Sequence, residues 1–356
     1  MAAMLLKEAG HRVIGVTLGL WSPTQNDMHN PCCSPETVDR AKAVADHLGI
    51  PHYAIDQRAE FRDLVVDYFV REYSEGRTPN PCVKCNARVR FGALLDVAAQ
   101  LGANRIATGH YARLRGTPPR LARGVDSVKD QSYVLAEVRP EQLERCIFPL
   151  GPYTKAEVRR MASTAGLEPI VAGESQEICF VPHDDYRAFL RDTLGDRPGV
   201  VVDESGRELA THTGTYNFTV GQRKGLGIGG GNAMYVARVD AESGQVVVAS
   251  APDTATEAVF YSCEVLHRRR PRKRVLAQIR SMAWPVEGRL AAGEAFVPDV
   301  PVSGVAPGQT IAVYDGDDVV LGATITAAGS SASLGVGALA RVRQRAYAIV
   351  KRLSAR

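Results

Sequence analysis

Apolar and polar positions alternate between strand-like runs and helical stretches from residue 1 to about residue 185. His11 to Leu20 (HRVIGVTLGL) and His52 to Asp56 read as buried strands. Met1 to Gly10 predicts a helix closed by glycine, and Ser34 to Leu48 predicts one with Ser34 as N-cap and Pro35 at its first position. Strands that alternate with helices predict an α/β domain with a mostly parallel sheet.

A third strand places polar residues where such sheets bind ligands. Residues 87–103 (ARVRFGALLDVAAQLGA) predict a helix that ends at Gly102. Arg105 to Thr108 follows as a strand and leads into Gly109 and His110. Ligands of open α/β sheets usually lie at the carboxyl ends of strands, so both residues are candidates. A lone histidine is nevertheless more often a packed residue than a functional one.

The pattern changes near residue 190. From about Gly199 onward, short β-rich segments such as GVVVD, QVVVAS and TIAVYDG are separated by Gly, Pro and Asp turns. They predict one or two small β domains, with a second boundary near residue 265. Ala327 to Leu334 is a linker by composition, and the Arg-rich segment after it predicts an amphipathic basic helix.

Bulk composition is that of an ordinary globular protein. The chain has 356 residues, 45% hydrophobic and 23% charged, and no apolar run of membrane-spanning length. The N-terminus lacks a basic region followed by an apolar core and a cleavage site, so it does not read as a signal peptide and we expect a cytoplasmic protein. The net charge of +4 is concentrated in His267–Arg274 and in Arg341–Arg356. Such clusters suit a polyanion, although a solvated basic face explains them equally well.

The seven cysteines do not suggest a disulfide framework, because their number is odd and no export signal is present. Cys82 and Cys85 stand in the Pro-rich segment TPNPCVKCN, and Cys179 stands in ESQEICF. Thiolates serve as nucleophiles and as metal ligands, so sulfur transfer, transient disulfide exchange and metal or cluster binding all stay open.

The other cysteines read as bystanders. Cys32 and Cys33 fit a solvent-facing loop pair, and Cys146 and Cys263 fit small hydrophobic residues in apolar surroundings.

Two further motifs have alternative interpretations. Gly221–Gly231 (GQRKGLGIGGG), with Arg223 and Lys224, is a phosphate cradle or a simple turn-rich loop. Lys129-Asp130-Gln131 is a charged loop at a helix start.

Taken in order, TPNPCVKCN, IATGHYAR, RGVDSVKDQSYVL, FPLG with TKAEVR, ESQEICFVP and TVGQRKGLGIGG resemble the bacterial tRNA-specific 2-thiouridylases over residues 2 to 325. The resemblance implies an N-terminal Rossmann-like domain of the N-type ATP pyrophosphatase class, related to adenine nucleotide alpha-hydrolases, then a small central domain and a C-terminal β-barrel. The expected boundaries are 1–190, 191–264 and 265–328, with a linker and basic tail over 329–356.

The same resemblance implies a tRNA-uridine 2-sulfurtransferase. ATP, with Mg²⁺, would adenylate the C2 oxygen of wobble uridine 34. A persulfide on Cys179 would then deliver sulfur to C2, and Cys85 would release it by forming a transient disulfide with Cys179. The implied partners are tRNAs for Lys, Glu and Gln and a cysteine desulfurase or sulfur-relay protein. We expect a monomer that does not engage membranes.

The resemblance also assigns site positions by alignment of motifs. Leu18 and Gly109 fall where the family contacts ATP. The positions that match tRNA contacts are Asn80, Pro81, Cys82, His110, Lys129, Asp130, Gln131, Arg280, Ser281 and Gln309. Some family members have Asp in place of Cys82.

One departure concerns the start of the sequence. Family members begin with a strand and an SGGVDSSV-type phosphate loop, and Met1 stands where the final valine of that loop would be. We therefore expect impaired nucleotide binding in the chain as written. A misassigned GTG start codon and a shortened, ATP-incompetent paralogue that binds tRNA or relays sulfur are the two explanations. A separate alternative is an iron–sulfur-dependent enzyme with a cluster on Cys82, Cys85 and Cys179.

Overall fold

The computed structural model describes residues 1–21, 35–167, 178–229, 233–250, 255–271, 274–291 and 294–329. The predictions for Cys32, Cys33 and Ser34, the end of the Gly-rich run and the tail from residue 330 lie outside these residues. The chain forms two compact units. Unit 1 comprises Met1–Phe69, Pro81–Phe189 and Asp317–Val319, and unit 2 comprises Val70–Asn80, Leu190–Gly316 and the chain from Val320.

Among the residues that the structure describes, the α-helices lie in the first 194 positions. They are α1 (Ala2–Glu8), α2 (Pro35–Leu48), α3 (Arg58–Phe61), α4 (Asp67–Ser74), α5 (Pro81–Lys84), α6 (Leu94–Gln100), α7 (Pro140–Leu143), α8 (Lys155–Thr164) and α9 (Tyr186–Leu194). Two π-helical segments join neighbouring helices, Arg62–Val66 between α3 and α4 and Cys85–Ala93 between α5 and α6.

The strands are short in the first half of the chain and more regular in the second. They are β1 (Gly15–Gly19), β2 (His52–Asp56), β3 (Ile106–Ala107), β4 (Ala112–Arg115), β5 (Arg120–Arg123), β6 (Cys146–Ile147), β7 (Gly199–Val202), β8 (Glu208–His212), β9 (Tyr235–Asp240), β10 (Gln245–Ala249), β11 (Ala255–Thr256), β12 (Ala258–Leu266), β13 (Val275–Gln278), β14 (Val286–Ala291), β15 (Ala295–Pro298), β16 (Val302–Ser303), β17 (Thr310–Asp315) and β18 (Asp318–Gly329).

Unit 1 has the parallel pairing that the strand and helix alternation predicts. β1 pairs in parallel with β2, and β3 pairs in parallel with β6. Helix α8 begins in a capping box, because the Thr154 hydroxyl accepts a hydrogen bond from the Glu157 amide and the Glu157 carboxylate accepts one from the Thr154 amide. The TKAEVR motif is therefore a helix start.

Unit 2 contains the two predicted β layers. A four-stranded sheet has the order β8-β7-β10-β9, with Val201, Val236 and Val246 fully buried in its core. Six strands in the order β12-β15-β14-β13-β17-β18 close into a barrel, because β12 also pairs with β18. Inward-facing side chains such as Phe296 and Ile311 fill it. The predicted fold class is confirmed.

Two local predictions are wrong. Cys263 is exposed, because β12 changes register between Ser262 and Val265 and Cys263 there adopts a positive φ of 56°. Alternation of buried and exposed positions therefore breaks at this bulge. The predicted linker starts too early, since Ala327 and Ala328 still pair with β12. Within the described part of the chain, no helix has the length and apolar character needed to cross a bilayer.

Candidate active site

Cys82 and Cys85 lie on a helix, although the sequence suggested a Pro-rich loop. The helix starts at Pro81 and runs without a break to Gln100. Proline suits a first helical turn because its missing N–H has no partner to lose there. Cys82 is half-buried, and Cys85 is buried and opens the π-helical segment Cys85–Ala93. Such segments are rare and occur frequently at functional sites.

Gln142 supports the π-helical segment through its side chain. Its Nε2 donates hydrogen bonds to the carbonyl oxygen of Ala87, at 3.1 Å, and to that of Phe91. Its Oε1 accepts a hydrogen bond of 2.9 Å from the amide of Arg139 at the start of α7. Widening a helix weakens its backbone ladder, so an outside donor to two of its carbonyls stabilises this backbone.

Charged and polar side chains surround Cys85. The neighbouring Lys84 forms an ion pair with Glu137, and both side chains are only 7% exposed. The ring of Tyr68 lies beneath two cations, 5.6 Å from Lys84 Nζ and 5.8 Å from the guanidinium of Arg88. Asn86 donates from Nδ2 to the carbonyl of Val134 at 3.1 Å, while its buried Oδ1 has no donor among the described residues. An unsatisfied buried acceptor of this kind is costly and marks the place as unusual.

Cys179 is held by the aromatic residue that follows it. Cys179 is half-buried in a turn, and Phe180 is 1% exposed. The Phe180 ring lies edge-on to four other rings, with centroid distances of 6.2 Å to Trp21, 5.8 Å to Phe61, 5.2 Å to Phe69 and 5.6 Å to Phe189. This geometry is the favoured one for aromatic pairs, so the backbone at Cys179 is anchored.

The segment after Cys179 has an uncommon backbone. His183 and Asp184 both adopt positive φ, 55° and 56°. Consecutive non-glycine residues in this region carry strain, which proteins concentrate at functional sites. Asp185 ends the segment by accepting a hydrogen bond of 3.0 Å from the amide of Ala188 at the start of α9.

One helical stretch, α3 through α4, supports the neighbours of both cysteines. Phe61 and Phe69 pack on Phe180, which follows Cys179. Tyr68 lies under Lys84, which precedes Cys85. Phe180 and Lys84, 96 positions apart in the sequence, are thus fixed against the same element of unit 1. The arrangement provides two thiols on a common rigid support.

The two residues expected to contact ATP lie at carboxyl ends of parallel strands. Leu18 is the penultimate residue of β1, and Gly109 is exposed two residues after the end of β3. This is the position where open α/β sheets bind ligands.

His110 is packed in an aromatic pocket. Its ring centroid lies 5.8 Å from that of Phe91 and 6.1 Å from that of Phe148, and its Nδ1 shares a hydrogen bond of 2.7 Å with the Thr108 hydroxyl. Burial, aided by the positive charge of Arg90, lowers the pKa of His110 to about 3. The imidazole is therefore neutral near pH 7 and offers hydrogen bonding rather than charge.

The Lys129-Asp130-Gln131 motif divides into one exposed and two internally bonded side chains. Asp130 accepts hydrogen bonds from the amides of Gly124 and Ser132, at 2.9 and 3.0 Å. Gln131 accepts one of 3.0 Å from the amide of Tyr111. Lys129 is exposed. The carboxylate and the amide shape the loop, and the lysine is presented to solvent.

Gln309 uses its side chain within unit 2. Its Nε2 donates a hydrogen bond of 2.9 Å to the carbonyl oxygen of Thr78, whose hydroxyl donates to that of Thr219 at 3.2 Å. The preceding Gly308 has a φ of 93°, and a Cβ there would lie 3.0 Å from the Thr78 backbone. Only glycine permits this approach. Asn80 follows in the same unit, and Arg280 and Ser281 are exposed on the barrel.

Three arginines of the basic run have acidic partners. Ion pairs join Arg268 to Asp315, Arg270 to Glu264 and Arg274 to Asp299. These three acidic neighbours reduce the phosphate attraction predicted from the run.

The described residues contain no group of three or more His, Cys, Asp or Glu side chains that could hold a metal ion. Cys82, Cys85 and Cys179 as placed do not form a cluster site. Cys146 is buried and donates to the Gln142 carbonyl at 3.0 Å, and burial raises the pKa of its thiol to about 12. It is an inert core residue, as predicted.

Several residues that organise the site were not found from the sequence. Gln142, Glu137 and Tyr68 act through partners from 16 to 55 residues away, and nothing in their local sequence marks them. Phe180 had a signal, because it stands in the ESQEICF motif directly after Cys179.

Family models match the chain in three consecutive parts. They are "tRNA methyl transferase HUP domain" over residues 1–183, "tRNA methyl transferase PRC-barrel domain" over 187–250 and "Aminomethyltransferase beta-barrel domain" over 258–325. Fold and site together thus define a HUP-domain protein of the tRNA-modifying class, in which two β domains follow the HUP domain along the chain.

Curated relatives give the particular family. Proteins named tRNA-specific 2-thiouridylase MnmA are 45% identical in Roseiflexus sp. (strain RS-1), over 90% of this chain and 94% of the relative. Those of Mycolicibacterium smegmatis and Geobacter metallireducens are 43% and 42% identical, each over 92% of this chain and over 96% and 94% of the relative. The chain belongs to the tRNA-specific 2-thiouridylase family.

Proposed function

We propose that this chain is a tRNA-uridine 2-sulfurtransferase that converts the wobble uridine of tRNA to 2-thiouridine, with consumption of ATP and release of AMP and diphosphate. The observation that carries the proposal is the shared support of Cys85 and Cys179 by α3 through α4. The membership of the chain in its family supplies the reaction.

The chemistry requires a better leaving group on the base and a sulfur nucleophile. Transfer of AMP from ATP to the C2 oxygen of uridine releases diphosphate and makes that oxygen a leaving group. The terminal sulfur of a Cys179 persulfide then attacks C2, and the C2–O bond breaks as AMP departs. The Cys85 thiolate attacks Cys179 Sγ, so that a Cys85–Cys179 disulfide forms and 2-thiouridine is released. An external thiol reduces the disulfide.

The surrounding residues hold the two thiols in place and balance the positive charge next to Cys85. The Phe180 ring, packed on its aromatic neighbours, anchors Cys179, and the Gln142 hydrogen bonds hold the π-helical segment that begins at Cys85. Glu137 compensates the charge of Lys84, so the lysine next to Cys85 does not act as an uncompensated cation.

The HUP domain implies use of ATP. We assign Leu18 and Gly109 to the nucleotide because they lie at strand ends. We assign Asn80, Pro81 and Cys82 to the target base, and His110, Lys129, Arg280 and Ser281 to the tRNA. Asp130 and Gln131 serve that surface by shaping the backbone, and Gln309 orders the backbone at Thr78, two residues before Asn80. The tRNAs for Lys, Glu and Gln are the proposed substrates, and a cysteine desulfurase or its relay is the proposed donor. We propose that the enzyme acts as a monomer.

The test is tRNA thiolation with ATP and a cysteine desulfurase, followed by mass spectrometry of nucleosides. We expect 2-thiouridine, and we expect Cys179→Ser and Cys85→Ser to abolish it while Cys263→Ser does not. In a parallel assay the chain carries an SGGVDSSV-type loop ahead of Met1. A higher yield of 2-thiouridine than from the chain as written would support the expected impairment of nucleotide binding. A methylated nucleoside formed with S-adenosylmethionine in place of ATP and donor would instead favour the methyl transfer named by the domain descriptions. Activity that survives Cys179→Ser would overturn the proposal.

A further inference from the structure

The loop between β13 and β14 exposes two large apolar side chains. Met282 is 95% exposed and Trp284 is 79% exposed. Single exposed aliphatic residues are common on protein surfaces, but an exposed indole beside an exposed thioether is not. The loop is tied at its base, since the side chain of Gln278 donates to the carbonyls of Arg280 and Ser281, at 3.1 and 2.7 Å. The indole is therefore presented by an ordered hairpin.

A cation is fixed at the start of the hairpin. Arg280 is exposed, and its guanidinium lies against Gly304, where a Cβ would be 3.2 Å from the guanidinium nitrogen. It also donates a hydrogen bond of 3.5 Å to the carbonyl of Ser303. These contacts fix the position of an exposed guanidinium, which has five N–H donors in all.

More basic residues follow on a neighbouring loop of the same unit. A Cβ on Gly221 would lie 2.5 Å from Gly304 Cα, so the backbones of the two loops are in contact. Arg223 and Lys224 come next in the chain, and both are exposed. The loop that carries these two cations therefore contacts the same glycine as Arg280.

We propose that the hairpin Arg280–Trp284 is a stacking platform for an unpaired base of the tRNA, with Arg280 on the adjacent phosphate. This inference rests on the proposed function and specifies which residues bind the tRNA substrate. Single-stranded RNA is recognised by stacking on aromatic side chains together with cationic contacts to the backbone. Charge complementarity selects RNA over an apolar protein segment, because the cations at Arg280, Arg223 and Lys224 suit phosphates.

The experiment uses the full chain and measures tRNA binding without catalysis. Tyr53, 46% exposed on β2, provides an exposed aromatic control outside the hairpin. We expect Trp284→Ala to weaken binding roughly 5- to 100-fold, since stacking contributes about that much per base. Trp284→Phe should retain most of the affinity, and Tyr53→Ala should bind like the unchanged chain. Arg280→Gln should lower the slope of log affinity against log salt by about 1, whereas Trp284→Ala should leave the slope unchanged.

A second readout is direct. Trp21 and Trp284 are the two tryptophans of the chain, so a Trp21→Phe background isolates the fluorescence of Trp284. Stacking predicts quenching on addition of tRNA and none with a nuclease digest of that tRNA to mononucleotides. If the unchanged chain does not bind tRNA, the proposed function fails. If it binds and Trp284→Ala binds equally well, the stacking platform alone is refuted. Intact tRNA binding with lost sulfur delivery from the donor protein would likewise refute it, in favour of a protein-docking hairpin.

Discussion

The side chain of Gln309 is bonded to the backbone of Thr78, Nε2 to carbonyl oxygen, at 2.9 Å. Thr78 also donates its amide to the carbonyl of Pro307 at 2.8 Å. Both bonds act on the segment that ends just before Pro81, where the cysteine-bearing helix begins. The residue that the resemblance assigns to tRNA contact therefore also orders the Thr78 backbone within unit 2.

We predict that Gln309→Ala lowers the rate of thiolation about tenfold while changing the affinity for tRNA less than twofold. Loss of a hydrogen bond that orders the Thr78–Asn80 backbone misplaces Asn80, which we assign to the target base. Single-turnover rates and filter binding on the same preparation separate the two quantities. Gln222 is unsuitable as a control residue because its Oε1 accepts a hydrogen bond from the Thr219 amide. The control is therefore Gln100→Ala, since the Gln100 side chain is exposed. A large loss of tRNA affinity with unchanged chemistry would instead make Gln309 a tRNA contact.

Replacing Gln142 with Leu should destabilise unit 1 by about 2–4 kcal/mol, because the carbonyls of Ala87 and Phe91 lose a buried donor. Urea unfolding monitored by circular dichroism measures the change. Gln100→Leu, on the exposed end of α6, should stay within about 0.5 kcal/mol of the unchanged chain. Equal effects of the two substitutions would show that the Gln142 bonds do not support the π-helical segment.

The buried pair Lys84–Glu137 should show strong non-additivity. Lys84→Met leaves a buried carboxylate without its partner, and we expect a loss of about 3–5 kcal/mol. Adding Glu137→Leu removes that carboxylate, so the double variant should recover most of the loss. Unfolding free energies for the four proteins of the cycle provide the measurement. Additive losses would mean that the two charges do not interact.

Stability should fall in mild acid because of His110. Its pKa in the folded chain is about 3 against an ordinary value of 6.5. Between these values the unfolded chain binds a proton at His110 and the folded chain does not, so the stabilising contribution present above pH 6.5 is lost as pH falls. We expect His110→Gln to reduce the drop between pH 7 and pH 5.5 by roughly 1 kcal/mol. Identical pH profiles for both proteins would refute a neutral imidazole packed between Phe91 and Phe148.

Local patterns were sufficient for much of the fold. The strand over His52–Asp56 has the predicted bounds, and Pro35 begins a helix that ends at Leu48. Both elements follow from apolar periodicity and turn residues, which act over a few positions. The order of an α/β domain followed by β domains follows from the same signals.

Long-range contacts account for what could not be predicted. The π-helical segment Cys85–Ala93 needs Gln142, and the Thr78 anchor needs Gln309, 231 residues later. The run Arg268–Arg274 predicts attraction to phosphate, but Asp315 and Asp299 lie beside two of its arginines. Cys263 faces solvent because of a bulge that alternation alone does not reveal.

The wide turn at Cys85 also makes the helix sensitive to its residue count. A π-helical turn accommodates one residue more than an α-helical turn, so deleting a residue between Cys85 and Ala93 would let the backbone relax to ordinary geometry. The residues between Cys85 and the deletion would then each move one place around the helix, a rotation of about 100° about its axis. Cys85, Val89 and Phe91, which are all buried, could no longer keep their present positions together. Lineages that shorten this helix should therefore be purged, whereas length changes in the surface turn at Gly102–Ala103 should be tolerated.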